Sequence, residues 1–575
     1  MRDASLVVMI VVAGLATGCG SGFVAASKKV ASSVADGLAG GSASRNEDDA
    51  AKDDEAMRTI NPTLADYAAK YFRATETVEP KKRVFRLTRK QFDITAKSLL
   101  PQNYSASITA TFPKDPLQTN YEYSDVLTFS GANFSPYAAW VEKMVASVRS
   151  KPTTVINCAA SDSNCLRTQA TTWVTKALRG AVPAATISNY VNFFVNSVAS
   201  EGLAGATADL VDVVLSSPHF VYREELATDA QNFLSAGQQL QNLTYTIADA
   251  PPEQVKLSSM SPAQYLQTPE TVKAAVDTVL STPESRDKLM RFFASWLEVK
   301  EADEYTISTN IFPEFTPTVA AAVTDEAKKF LSFHLSKAAP KLKDITQSTQ
   351  SFVSQSIASI YGMSGNGLTG TSPVDLNKTQ RLGIFSLPAV IASHSGPDTT
   401  RLVKRGVFFT RKVMCLEIGG VPSGVNTELP TGANLTERTK IETATNQATC
   451  LGCHSYINPF GFVQENYDPI GRWRTTDNNV PVDTRISTNF FDEGPVATDS
   501  PVEAFKSFTS SVRFKQCFVR QLFRFYMGRN EVPSDDPLLR KMFFYFAEND
   551  NQDILGLLQI LAGSSRFSQR SEGGT

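Results

Sequence analysis

The chain has little charge imbalance and lacks the short motifs that mark nucleotide or nucleic-acid binding. Its 56 basic and 58 acidic side chains give a formal net charge of −2, and no cluster of Arg or Lys with interleaved aromatic residues is present. Because nucleic-acid binding needs a basic footprint, nucleic acid is not expected as a partner. No G-x-G-x-x-G or P-loop pattern follows a strand signal, and H-E-x-x-H is absent, so none of these nucleotide or zinc sites is predicted.

Long apolar runs are also missing. Outside the N-terminal segment, no stretch approaches the roughly 18 unbroken apolar residues that a membrane-spanning helix needs. The composition, with 42% hydrophobic and 20% charged residues, is typical of a soluble globular protein. Because 575 residues are too many for one ordinary core, several domains are expected.

Cysteine and histidine are scarce, with 7 and 4 residues, so their clustering is informative. The segment CLGCH at 450–454 has the C-x-x-C-H spacing of c-type haem attachment. Two thiols at this spacing reach the vinyl-derived carbons on one haem edge, and the adjacent imidazole binds the iron. The sequence therefore predicts one covalent haem c, with thioethers at Cys450 and Cys453 and iron bound by His454.

Two other chemistries use a C-x-x-C pair. One is half of a zinc site, completed by Cys415, Cys517 or His394, since structural zinc takes four such ligands. The other is a thiol–disulfide redox pair of thioredoxin type, or a plain disulfide. At the level of sequence both alternatives stay open.

The N-terminus has the layout of a secretory signal. Arg2 precedes an apolar run from Leu6 to Ala13, and the sequence LATGC, ending at Cys19, comes next. A small residue directly before a cysteine resembles a bacterial lipobox, which implies a lipoprotein-type signal over residues 1–19, cleavage before Cys19 and acylation of its thiol. Two or more acyl chains would anchor the protein stably to a membrane. Ordinary signal cleavage is the alternative.

These features predict an exported protein, lipid-anchored on the periplasmic or cell-surface face of a bacterial outer membrane. Residues 20–58 are rich in Gly, Ala, Ser, Asp and Lys and cannot bury much apolar surface. They are predicted to form a disordered tether between the anchor and the folded body.

Export also bears on the remaining cysteines, because disulfides persist in oxidising compartments. Cys158 and Cys165 flank a short polar turn, so a local bridge between them is favoured. Cys415 with Cys517 would then join the segment before the haem motif to the helix after it. Sequence alone leaves the other pairings open.

Helical signals dominate from about residue 59. The segments TPE at 268–270 and TPE at 282–284 each place an N-cap threonine before a proline at the first helical position. After the second, apolar residues recur at helical spacing and are interpreted as core: Leu289, Phe292, Phe293, Trp296 and Leu297.

The predicted fold class is therefore mainly α, a multi-domain helical body with a C-terminal cytochrome c-like helical haem module. The predicted modules are an N-terminal one at 59–150, a second at 151–230, a central one at 231–375, the haem module at 376–485 and a C-terminal helical one at 486–575.

Several motifs occur in an order that resembles a known family. They are RLTRKQF at 86–92, SSPHFVYRE at 216–224, RLGI at 381–384, NPFGF at 458–462, ENYDPIGRWR at 465–474 and CFVRQLFRF at 517–525. Together they resemble the planctomycete- and myxobacterium-type cytochrome c-like proteins built from five successive domains of unknown function. The resemblance spans roughly residues 83–570 and implies architecture more than a reaction. Asn458 stands where that family usually has Asp, and Gly396 where it often has a second His.

Haem would need a sixth iron ligand or an open position, and the candidates are Met527, His394, Met542 or none. The Pro459 carbonyl is expected to accept the imidazole N–H of His454.

Around the ring, Arg472 and Arg474 are expected to pair with the propionates, and Trp473 is expected to pack on the ring edge. A solvated surface turn is the alternative for both arginines.

The resulting prediction is a membrane-anchored monohaem cytochrome c-like protein in one-electron transfer, with an unknown redox partner. A haem-dependent redox enzyme, peroxidase-like or dehydrogenase-partnered, would instead need an open sixth position. A third possibility is a surface binding scaffold in which the helical body recognises a ligand and the haem is accessory.

Overall fold

The computed structural model describes residues 50–75, 80–104, 107–118, 121–122, 126–226, 228–230, 232–257, 264, 268–421, 423–424, 428–432 and 434–571. The predicted signal peptide, the acylation site Cys19 and the tether as far as residue 49 lie outside the described residues. Helices account for most of the described chain, so the predicted mainly α fold is confirmed.

The α-helices as far as the central part of the chain are α1 (Ala50–Ile60), α2 (Pro62–Tyr71), α3 (Arg89–Leu99), α4 (Gly131–Ser150), α5 (Ser163–Ala177), α6 (Ala184–Leu215), α7 (Pro218–Val221), α8 (Ala236–Ala248), α9 (Pro269–Leu280), α10 (Pro283–Trp296), α11 (Pro317–Leu335) and α12 (Leu342–Thr346). The later helices are α13 (Pro388–Ser393), α14 (Leu402–Phe408), α15 (Glu437–Thr445), α16 (Ala448–Phe462), α17 (Pro501–Ser510), α18 (Val512–Met527), α19 (Asp536–Ala547), α20 (Ile554–Gly563) and α21 (Ser565–Ser568).

Short 3₁₀ and π segments connect these helices. The 3₁₀ segments are Ile108–Ala110, Pro152–Thr154, Gln355–Tyr361, Ile384–Ser386, Pro533–Asp535 and Glu548–Asp550, and a π turn, Phe409–Val413, extends α14.

Strands are short and form antiparallel pairs. The pairs are β1 (Arg83–Arg86) with β2 (Tyr222–Glu225), β3 (Gln350–Ser351) with β4 (Val374–Asp375), β5 (Thr476–Asp477) with β6 (Val480–Pro481), and β7 (Ile486–Thr488) with β8 (Val496–Thr498). In the first pair Phe85 lies opposite Arg223, which ties the N-terminal module to the end of the second module.

The buried side chains form two hydrophobic cores. The first lies within residues 87–221, where α4 and α5 pack on α6, and it also includes Tyr245. The second runs from Met57 to Phe567 and combines α1, α2 and the helices from α8 onward. The helix that carries the C-x-x-C-H motif therefore shares its core with the central and C-terminal helices.

The helix starts predicted from sequence are confirmed. Thr268 caps α9 and Thr282 caps α10, each side chain accepting a hydrogen bond from the backbone N–H three residues on. The aromatic residues behind the second cap are core, since Phe292, Phe293 and Trp296 are completely buried. Burial of such rings is a large part of what holds α10 in place.

The predicted tether ends earlier than residue 58. Helix α1 begins at Ala50, and its Asp54 and Asp53 pair with Arg540 and Lys541 of α19. The acidic run is helical here because α19 supplies the opposite charges and a surface on which Met57 is buried. None of the helices in the described part of the chain is long and apolar enough to cross a membrane.

Among the described residues two disulfides are present, Cys158–Cys165 and Cys415–Cys517. This is the pairing that the sequence favours. The second bridge joins the segment after α14 to the middle of α18.

Helices α14 and α16 cross at very short range. A methyl group at Gly406 would lie 2.3 Å from the carbonyl oxygen of Ile457, and one at Gly461 would lie 2.2 Å from that of Leu402. Buried Arg405 secures the crossing, because its Nη1 donates to the carbonyls of Gln464 and Tyr467 at 3.1 and 2.8 Å, just beyond the end of α16. These bonds tie the turn that follows α16 to α14.

Substituting Gly461→Ala is expected to destabilise the protein by about 1–3 kcal/mol, because the added methyl forces the two helices apart. Gly452→Ala is the matched control in the same helix, since nothing lies within 4 Å of a methyl there. It should be neutral or stabilising by up to about 1 kcal/mol, the helix-propensity gain of Ala over Gly. Urea unfolding followed by circular dichroism measures both, and equal effects would contradict the close crossing.

Candidate functional site

Helix α16 presents the C-x-x-C-H residues on one face. Cys450 and Cys453 are three residues apart and His454 is four residues after Cys450, so all three side chains share a face. Both cysteines are free thiols and half-buried. A plain disulfide between them is therefore not present in this structure.

A cavity of about 1220 Å³, termed the motif cavity, opens against this face, and Cys450, Cys453 and His454 all contribute to its wall. Small-molecule pockets usually measure about 300–1,000 Å³, so this one has room for a large group. Its wall combines apolar side chains of α14 and α16, Val403, Val407 and Ile457, with basic side chains, Arg401, Lys404 and Lys440. Acidic side chains, Asp398, Glu437, Asp468 and Asp477, line it as well, against six basic ones. The mixed wall with its small excess of basic groups would fit an apolar ring that carries carboxylates.

The imidazole of His454 is oriented by Asn458 and not by Pro459. His454 Nδ1 lies 2.8 Å from Asn458 Oδ1, while Asn458 Nδ2 donates to Thr445 Oγ1 at 3.3 Å. Because an amide oxygen only accepts, Nδ1 carries the proton and Nε2 keeps its lone pair for a metal. The expected acceptor, the Pro459 carbonyl, bonds instead to the N–H of Val463, since α16 continues through Pro459 to Phe462.

Arg474 has a donor that no described residue uses. Its Nε donates to the carbonyl of Glu465 at 3.0 Å and its Nη1 to Asp477 at 2.7 Å. Its Nη2 is buried without a hydrogen-bond partner, and Arg474 lines the motif cavity. Leaving such a donor unsatisfied is costly, so a carboxylate of a bound group would fit here.

The neighbouring residues of the same turn are placed differently. Arg472 lines the motif cavity, but it is already paired with Glu314 and with Asp468, and its side chain is 46% exposed. Trp473 does not line the motif cavity, and its ring meets that of Tyr467 at 5.5 Å between centroids. The expectation that Trp473 packs on the haem edge is therefore not met by this geometry.

The side chains predicted as candidates for the sixth iron ligand lie elsewhere. His394 is buried, its Nε2 lies 3.0 Å from the carbonyl oxygen of Leu297, and its ring stacks on Phe408 at 3.9 Å. Burial lowers the pKa of His394 to about 3, so it is neutral. Met527 lines a different, smaller cavity, and Met542 is fully buried on α19. None of these three side chains lines the motif cavity, because the residues packed around each side chain hold that side chain elsewhere.

The side chains that would complete a zinc site already have other partners. Cys415 and Cys517 are bonded to each other and His394 lies against a carbonyl. Among the described residues no group of three or more His, Cys, Asp or Glu side chains is arranged to hold a metal ion.

The residues present fit a covalently attached haem. Two free thiols would form its thioethers, His454 would supply the proximal nitrogen, and Arg474 would meet a propionate. Lys404 and Lys440 were missed at the level of sequence, where lysines scattered along two helices carry no signal. Asn458 was detectable, because an i, i+4 spacing from His454 places both side chains on one helix face.

Comparisons with known proteins agree with a chain of several modules. Residues 381–477, which include the C-x-x-C-H motif, match PSCyt3, described as a protein of unknown function (DUF1588). Residues 235–363 match PSD4, described as a protein of unknown function (DUF1592). These segments support the multi-domain part of the predicted resemblance. Comparison with curated proteins and with solved structures gave no match.

A buried carboxyl next to the site gives a pH-dependent prediction. Glu465 is fully buried, its Oε1 accepts from the N–H of Arg438 at 3.2 Å, and its Oε2 has no partner. Burial raises the pKa of Glu465 to about 7. The folded state therefore binds this proton more tightly than the unfolded state, and the wild type loses stability as the pH rises from about 4.5 to 7.

Glu465→Gln, which keeps the acceptor for Arg438, is expected to leave stability unchanged near pH 4.5 and to raise it above pH 7. The difference at high pH should be on the order of 3 kcal/mol, at 1.36 kcal/mol per unit of pKa shift. Urea unfolding at pH 5 and pH 8 measures it. A difference that is the same at both pH values would contradict a raised pKa.

Proposed function

We propose that this chain is a monohaem c-type redox protein that transfers one electron at a time. The observation that carries the proposal is the motif cavity, whose wall brings together two unpaired thiols and an imidazole with an available nitrogen. A covalently bound haem supplies reversible one-electron chemistry. The chain supplies its attachment, its proximal ligand and a partly apolar enclosure.

Each residue has a defined task in this proposal. Asn458 holds His454 in the tautomer that binds iron through Nε2, and Arg474 offers its unpartnered Nη2 to a propionate. Apolar side chains such as Val403 and Ile457, which line the motif cavity, would shield a bound haem from water. Burial and hydrogen bonding of this kind are what set the reduction potential of a haem.

Electron exchange with a partner protein needs an accessible route to the ring. Within the motif, Cys450 and Cys453 are only half-buried, and Leu451, which lies between them, is 48% exposed. Val421, which also lines the motif cavity, is 72% exposed. Redox partners usually form small, transient contacts, and the exposed apolar residues Leu451 and Val421 suit such a contact.

Export and membrane anchoring through Cys19 are part of the proposal and rest on the sequence of the N-terminus. The two disulfides support them, because structural disulfides are typical of oxidising compartments. Haem c is attached on that same side of the membrane.

The attachment is tested by producing the full chain in a bacterium that can mature c-type cytochromes. Mass spectrometry should find one haem per chain, and Cys450→Ser and Cys453→Ser should each lose one thioether, with both together losing covalent haem. Cys158→Ser with Cys165→Ser is the control, because this pair also removes two cysteines but lies outside the motif cavity. Unmodified sulfurs at Cys450 and Cys453 in the matured wild type would overturn the proposal.

A second function, a haem-dependent redox enzyme, is favoured by one observation. All four histidines of the chain are described, and His454 is the only one that lines the motif cavity, while no methionine among the described residues lines it. Without such a ligand, iron would keep an exchangeable sixth position, as in haem proteins that bind small oxidants.

Carbon monoxide binding distinguishes the two functions. If the sixth position is exchangeable, the reduced haem-loaded protein should bind carbon monoxide rapidly, and Met527→Leu and His394→Gln should leave its absorbance spectrum unchanged. A low-spin spectrum that carbon monoxide does not change would instead indicate an internal sixth ligand, which is identified if Met527→Leu or His394→Gln alters that spectrum. This result would support a simple electron carrier.

A further inference from the structure

A second cavity, termed the junction cavity, lies where three parts of the chain meet. It has a volume of about 30 Å³ and is lined by Arg223 of β2, Asp249 after α8, Lys288 of α10 and Tyr526 of α18, among others. Its walls thus come from the N-terminal, central and C-terminal helices. The residues of the C-x-x-C-H motif do not line it, so an occupant of the junction cavity would be independent of haem.

Arg223 is a buried charge that forms no ion pair with a described carboxylate. The residue is 4% exposed, and its Nε and Nη1 are buried with no hydrogen-bond partner. The guanidinium carbon lies 4.2 Å from the ring centroid of Phe85, which cannot accept a conventional hydrogen bond. Burial lowers the pKa of Arg223 to about 9, so the group is still charged at neutral pH. An unpaired buried charge costs several kcal/mol, so something must compensate it.

The carboxylates near Arg223 are committed to other cations. Glu225, two residues along the strand, pairs with Arg83 and Arg570. Asp249 accepts from Lys288 at 2.7 Å and from Arg291. Both carboxylates attract Arg223 at longer range, but neither forms an ion pair with it.

Glu122 also lines the junction cavity. Burial raises the pKa of its carboxyl, which disfavours the charged form. The wall therefore carries three basic groups, Arg223, Lys288 and Arg291, against the two carboxyls of Glu122 and Asp249, so basic groups are in excess even if both carboxyls are charged.

Further donors add to this excess. The hydroxyl of Tyr526 is buried without a partner. Lys288 donates to Asp249 and to the carbonyl of Tyr245 at 3.1 Å, which uses two of the three protons on its ammonium group. The junction cavity is thus rich in donors and poor in acceptors.

We propose that the junction cavity binds one small monovalent anion, such as chloride, between the guanidinium of Arg223 and the hydroxyl of Tyr526. A volume of about 30 Å³ is close to that of one water molecule in the liquid, so the occupant must be very small. Water would accept hydrogen bonds from Arg223 but would leave its charge uncompensated, whereas an anion satisfies both requirements. The bound anion would join the three parts of the chain.

The test is thermal unfolding of the full chain in sodium chloride and in sodium gluconate at equal ionic strength, because gluconate is too bulky to enter. The melting temperature should be higher in chloride and should rise by a constant increment per tenfold increase in chloride above the dissociation constant. Arg223→Met should abolish the difference between the two salts, and Tyr526→Phe, a milder change, should require more chloride for the same effect.

Arg485→Met is the matched control, since Arg485 is an exposed arginine paired with Asp483, and it should keep the full chloride effect. Crystals grown in bromide should show an anomalous peak beside Arg223. Identical melting of the wild type in both salts, an undiminished chloride effect in Arg223→Met, or a cavity that contains only water would each overturn the proposal.

Discussion

Helices α14 and α16 approach so closely that a methyl group at Gly406 or Gly461 would overlap the facing backbone. This contact fixes the helix that carries Cys450, Cys453 and His454 against α14, which also lines the motif cavity. Arg405 adds the hydrogen bonds that hold the turn after α16 in place. The cavity wall depends on this crossing, because the same two helices supply both its thiols and much of its apolar surface.

Both cavities share one electrostatic feature, an arginine with a buried donor that the protein leaves unsatisfied. In the motif cavity it is Nη2 of Arg474, and in the junction cavity it is the guanidinium of Arg223. Desolvating a permanently charged group is expensive, so an unsatisfied donor on a cavity wall marks where a negatively charged group is accommodated. The first site suits the carboxylate of a large ring and the second a single small ion, because the volumes differ about fortyfold.

Local rules accounted for much of the fold. N-cap threonines followed by proline start α9 and α10 as expected, and the disulfide between Cys158 and Cys165 needs only a short turn. Contacts between distant segments were harder to foresee. The helix at Ala50–Ile60 forms on residues whose composition indicates disorder, because charged partners on α19 are supplied nearly 490 residues later.

The sequence by itself indicated that the chain is mainly helical, that two of its thiols stand in a C-x-x-C-H motif, and which imidazole adjoins that motif. These are properties of spacing along the chain. Only the tertiary structure decided that Asn458 orients His454, that Arg474 and not Trp473 faces the motif cavity, and that Met527 belongs to the junction cavity. Each of these depends on which side of a helix faces which neighbour, and that is set by packing between segments far apart in sequence.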